Sequence, residues 1–130
     1  LRQLIMNQLW LPSADQKQTH MLLTQALKQS PNSAELNYLV ARSYFNQEDF
    51  SLSQQHFEKA LNLKLSHHSL RYESLKLIAL GLFYSESYQK AQLAFENLRK
   101  QSQLHILEGE EYSLSLWAKR AQFFARANSL

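Results

Sequence analysis

The sequence predicts an all-α protein of antiparallel helix pairs, on three observations. The 130 residues include only two glycines and two prolines, and strands joined by tight turns need that punctuation. Leu, Ala, Gln, Lys and Glu, all strong helix formers, are abundant. Apolar residues recur three and four apart in stretches of about a dozen residues, separated by short polar segments.

The elements follow in order. A short helix is expected over Leu1–Trp10, because Pro12 blocks its continuation. Ser13 is a good N-cap for a second helix, about Ala14 to Gln29, which Ser30-Pro31-Asn32 ends. Ser33 caps a third over Ala34–Asn46, and Gln47-Glu48-Asp49 is a tight polar turn. A fourth helix is expected from about Phe50 to Leu63, then a looser connection over Lys64–Ser69. Two more follow at about Leu70–Ser85 and Tyr88–Gln101, joined by Glu86-Ser87. A last helix, about Glu110 to Asn128, carries the apolar stripe Leu114, Trp117, Ala118, Ala121 and Phe124. Lys119, Arg120, Gln122 and Arg126 give it a polar outer side.

Helices of this length, alternating with short turns, invite a search for an internal repeat. Tyr44, Phe50, Ser53, Phe57 and Ala60 recur as Leu82, Tyr88, Ala91, Phe95 and Leu98, with the same spacings and an offset of 38 residues. Ala26 and Leu23 precede Ala60 and Phe57 by 34. Small residues are needed where two helix backbones approach closely. Ala41 and Ala79 on the first helices, and Ser53 and Ala91 on the second, fill that need. Phe57 and Phe95 then project from second helices toward a neighbouring element, so that a lone pair leaves an apolar face open.

On these residues the chain resembles the tetratricopeptide repeat family, whose unit is about 34 residues long. The segment from Ala34 matches the family pattern with Val40, Ala41, Tyr44, Phe50, Ser53, Phe57 and Ala60. The segment from Tyr72 matches with Ile78, Ala79, Leu82, Tyr88, Ala91 and Phe95, with Leu98 where Ala is usual. A weaker first segment has Trp10, Ala26, Leu27 and Pro31 in register. The large residue usual at the fourth position is Asn37 in one repeat and Leu75 in the next, and the connections after Leu63 and Arg99 are longer than usual. The resemblance implies one array over residues 1–130, stacked as a right-handed superhelix. Its repeats would span about 1–33, 34–67 and 72–105, with a capping or partial-repeat helix at about 110–128.

The resemblance also implies a concave groove lined by fixed positions of each first helix. These are Glu35, Tyr38, Arg42, Phe45 and Asn46 in the middle repeat, and Glu73, Lys76, Leu80, Phe83 and Tyr84 in the next. Leu4, Gln8 and Leu11 correspond in the first. The expected partner-binding set is Tyr38, Arg42, Phe45, Asn46, Lys76, Leu80, Phe83 and Tyr84, since aromatic and Arg side chains serve protein binding. The opposing expectation is that the last helix, through Trp117 and Phe124, folds over Phe45, Phe83 and Tyr84. Only Arg42, Asn46 and Lys76 are available from the set with which chaperone-binding relatives clamp a terminal carboxylate. An apolar or amphipathic partner segment is therefore expected instead.

Other chemistries find little support. Net charge is +3 with acids and bases interleaved, a solvated exterior rather than a nucleic-acid footprint, and no nucleic acid or small-molecule substrate is expected. There is no cysteine, hence no disulfide, thiolate nucleophile or sulfur-ligated zinc. His20, His56, His67, His68 and His105 fall in no metal-ligand pattern. Gly81 lies inside a helix and Gly109 is isolated, so no phosphate-cradling loop is present. Glu108, Glu110 and Glu111 are read as charge complementing a helix N-terminus. The expectation is a non-catalytic module with no metal and no cofactor. The run Leu77–Tyr84 is too short to span a bilayer. Because the chain begins at Leu1 within a helical pattern, it is expected to be a piece of a longer protein. Small bacterial arrays of the family resemble cell-envelope assembly factors, which favours the periplasm or a membrane-anchored setting over the cytoplasm. A cytosolic secretion-type chaperone and a structural module for self-association are the alternatives.

Overall fold

A computed structural model describes residues 13–101 and 108–128. Six α-helices, and no strand, lie among the described residues: α1 Ser13–Gln29, α2 Ala34–Asn46, α3 Phe50–Asn62, α4 His68–Tyr84, α5 Tyr88–Arg99 and α6 Glu108–Asn128. The expected helix over Leu1–Trp10, with Leu4, Gln8 and Leu11, lies outside the described residues, as does His105. Observed ends fall within two residues of those expected, the ordinary range for fraying termini. Ser13, expected as a cap, is the first residue of α1.

Local chemistry sets the boundaries. The Ser33 and Asp49 side chains accept the Leu36 and Leu52 amides at 3.2 and 3.3 Å, each satisfying one open N–H of its helix. Helix ends without glycine are closed by glutamate and lysine in the left-handed region: Glu48 (φ 63), Lys64 (φ 65) and Glu86 (φ 66). After α2, Glu48 N–H reaches Phe45 O and Asp49 N–H reaches Tyr44 O. After α4, Glu86 and Ser87 repeat the pattern on Phe83 and Leu82. Both are Schellman closures, and each reverses the chain into an antiparallel pair, α2 with α3 and α4 with α5.

Internal contacts group the chain into two compact units, Leu1–Leu65 and Ser66–Leu130. In the first, α2 packs against both α1 and α3. Seven consecutive α2 residues, Asn37 to Ser43, are buried, so no single stripe of this helix holds the core. Ser53 Oγ donates to Ala41 O at 2.9 Å, which fixes the close approach of α3 to α2. Buried Asn37 is fully used: Nδ2 donates to Pro31 O and Ser33 O, and Oδ1 accepts from His56 Nδ1 at 3.1 Å. An unsatisfied buried amide costs about 1–3 kcal/mol, and this network avoids that cost.

In the second unit α5 packs against both α4 and α6. Ala79, Ala91, Phe95, Leu98, Leu114, Ala118 and Ala121 form its core. Phe57 and Phe95, the repeated second-helix aromatics, are each fully buried. Such burial stabilises by about 1.5–3 kcal/mol per side chain. Glu110, near the start of α6, meets Tyr72 and Lys76 in the first half of α4, and Phe124, near its end, meets Phe83 at the end of α4. α6 therefore runs parallel to α4.

Candidate protein-binding surface

The eight expected binding residues divide by unit. In the first, Tyr38 and Arg42 are buried rather than open, at 1% and 8% exposure. Arg42 Nη1 donates to Tyr38 OH at 3.4 Å, its guanidinium lies 5.9 Å from the Tyr38 ring centre, and that ring meets Phe57 edge-on at 6.0 Å. Phe45 is half-buried with its ring 5.3 Å from Phe50, and Asn46 is exposed. One helical turn thus takes α2 from core to surface.

In the second unit α6 lies on the α4 face that carries Lys76, Leu80 and Phe83. Lys76 Nζ is 2.9 Å from Glu110 Oε2, and Tyr72 OH donates to the same oxygen. The Tyr72 hydrogen bond, followed by that of Lys76, holds the Glu110 carboxyl below its ordinary range. Burial, reinforced by Glu110, pushes the Tyr72 phenol up. Leu80 packs half-buried against the core.

Phe83 is the hub of an aromatic cluster, with Trp117 at 5.2 Å, Tyr88 at 5.3 Å, Phe124 at 5.6 Å and Tyr84 at 5.8 Å, all edge-on. Edge-on pairs of this kind add about 0.5–1.5 kcal/mol beyond burial. Phe124 stacks on Tyr88 at 5.2 Å, and Phe123 meets Phe124 at 5.5 Å. The cluster grades from inside to outside. Phe83 is half-buried, whereas Phe124, Tyr84 and Phe123 are 39%, 50% and 68% exposed. Phe83 and Tyr84 are neighbours in sequence, about 100° apart around a helix, so one turns inward and the other outward. A concavity of about 340 Å³ adjoins this edge, lined by Glu86, Ser87, Tyr88, Gln89 and Lys90 on one side and Ala125 and Asn128 on the other. Its lining is mostly polar, with Tyr88 the one aromatic side chain and Lys90 the one cation.

Two of the histidines pack around one ring. His20 meets Tyr44 edge-on at 4.6 Å, with Nδ1 2.7 Å from Ser43 Oγ, while His56 stacks on Tyr44 at 5.5 Å. Burial lowers both imidazoles from their ordinary range, and nearby Lys59 and His20 lower His56 further. His67 and His68 are exposed. Among the described residues no group of three or more His, Cys, Asp or Glu is placed to hold a metal ion, and no helix is long and apolar enough to cross a membrane.

Two features were not anticipated from sequence. The Tyr72–Glu110–Lys76 link joins residues more than thirty positions apart, and no local pattern announces it. The second is an outer row on α6. Tyr112, Leu116, Lys119, Phe123 and Arg126 follow one another four, three, four and three apart, opposite the buried row Leu114, Ala118 and Ala121. Its signal was the same spacing that revealed the inner stripe. The outer side of α6 is therefore mixed, with Tyr112 69% and Phe123 68% exposed beside Lys119, Arg120 and Arg126, and not simply polar. No protein-family model, no curated protein and no solved structure matches the chain.

Proposed function

We propose that the chain is a non-catalytic, tetratricopeptide-type module that binds an apolar or amphipathic segment of another protein. The observation that carries this reading is the open rim of the Phe83 cluster. Tyr84, Phe123 and Phe124 are large apolar side chains at the surface, in ring contact with one another or with an inner ring that holds them in place. Rigid exposed aromatics lose little conformational entropy on binding, and such residues dominate protein interfaces. The repeated construction with an offset of 38 residues supports the family reading. Among the residues that the resemblance implies, Phe45 and Asn46 in the first unit and Tyr84 in the second would each meet a partner directly. Tyr38 and Arg42 would support α2 from beneath, and Lys76, Leu80 and Phe83 would support the rim through α6. A cell-envelope assembly role fits the composition and is proposed as the setting.

The test is site-specific cross-linking in cells of the source organism. A photoreactive residue in place of Tyr84 should give one dominant adduct with another protein, and the same residue at exposed Lys59 should not. Equal, diffuse labelling from both positions would overturn the reading.

A further inference from the structure

We propose that the outer row of α6 is a docking face for an acidic amphipathic helix of a partner protein, an inference that rests on the protein-binding reading above. Tyr112, Lys119, Phe123 and Arg126 are exposed in one row along the helix, with Leu116 partly exposed among them and Arg120, its guanidinium 4.9 Å from the Trp117 ring centre, beside it. Beyond the acidic first turn with Glu108, Glu110 and Glu111, the stretch from Tyr112 onward carries three cations and no acid. This local imbalance selects the partner's charge. An apposed helix that sets apolar residues on Tyr112, Leu116 and Phe123 places its flanking positions against Lys119, Arg120 and Arg126, where carboxylates are favoured and ammonium groups repelled. The row is one residue wide, which suits the groove between two rows of a single partner helix.

The same features disfavour the other occupants. Insertion into a lipid surface needs a broad apolar face, and the broad face of α6, Leu114, Trp117, Ala118 and Ala121, is packed in the core. Pairing two copies through this row about a two-fold axis sets cations against cations.

The experiment uses the full chain and two helical peptides of the same length as α6, each with a Leu/Phe stripe, one flanked by Glu and the other by Lys. Fluorescence anisotropy should show the Glu peptide binding at least roughly tenfold more tightly, with affinity falling as salt rises. Phe123→Ala and Lys119→Glu should each weaken it by roughly tenfold. Circular dichroism should stay unchanged for both, and melting should shift only slightly, through the lost Phe123–Phe124 ring contact in Phe123→Ala. Tyr84→Ala should leave this peptide's affinity as it was. Equal affinity for both peptides overturns the charge selection, and no binding of the Glu peptide at millimolar concentration overturns the docking face. Vesicles of anionic phosphatidylglycerol that bind in a Phe123-dependent way, or a Phe123-dependent dimer in sedimentation, overturn it in favour of a lipid surface or a second copy. If the Glu peptide fails while the Tyr84 cross-link still forms, this inference falls and the protein-binding reading stands.

Discussion

At the scale of the residue, Glu48 and Glu86 carry the most direct consequence. Both sit left-handed at the residue after a helix cap, where a side chain costs about 1–2 kcal/mol that glycine avoids. Each also brings a carboxylate to the negative end of a helix dipole. Against this, glycine raises unfolded-chain entropy by about 0.5–1 kcal/mol. Glu48→Gly or Glu86→Gly should therefore stabilise by about 0.5–1 kcal/mol in urea unfolding. Alanine at the same positions removes the charge but keeps the strain, and should gain less. These turns show what sequence reading reaches. The position of each turn followed from polar punctuation between periodic stretches. Its left-handed residue did not, because the usual marker is glycine and none is there. The small residues were more legible: Ala41, Ala79 and Ala91 are fully buried and Ser53 nearly so, since only one size fits a close helix contact.

At the scale of the element, α2 and α6 each depart from a simple amphipathic reading. α2 carries buried polar side chains, and its Tyr44 meets both His20 of α1 and His56 of α3. Both imidazoles are lowered by burial, so the folded chain favours their neutral forms. The unfolded chain takes up these protons first, near the ordinary histidine value of about 6.5. Stability from this cluster is thus complete above that pH and declines as pH falls through it. Urea unfolding followed from about pH 8 to about pH 5.5 should show this loss. The double change His20→Gln, His56→Gln should flatten the slope. Glu110, lowered by Tyr72 and Lys76, acts in a separate window, losing its contribution only as pH falls through the carboxylate range. A slope between neutral pH and about pH 5.5 is therefore not its doing. The periodicity of α6 predicted which side it buries, and Leu114, Ala118 and Ala121 are buried as that stripe requires. The exposed charges at Lys119, Arg120 and Arg126 mask the apolar members of its outer row in the sequence.

At the scale of the whole molecule, each compact unit sets its middle helix against two others and repeats the same Schellman turn and second-helix aromatic. That construction was legible because helix period, cap chemistry and residue size are local properties. The binding surface was less so. Spacing could place Phe83 and Tyr84 near one face, but whether a later helix covers them depends on contacts some thirty to forty residues away. In the second unit Trp117 and Phe124 do reach Phe83, and Tyr84 stays half-exposed. The two neighbours should therefore respond in opposite ways. The decisive measurement determines both unfolding free energy and partner affinity for Phe83→Ala and Tyr84→Ala. The account predicts that Phe83→Ala lowers stability by about 3–5 kcal/mol, or somewhat less given its partial burial, through the lost hub of the cluster. Tyr84→Ala should change stability little and weaken partner binding by about 1–3 kcal/mol. Loss of stability without loss of binding in Tyr84→Ala would contradict the account.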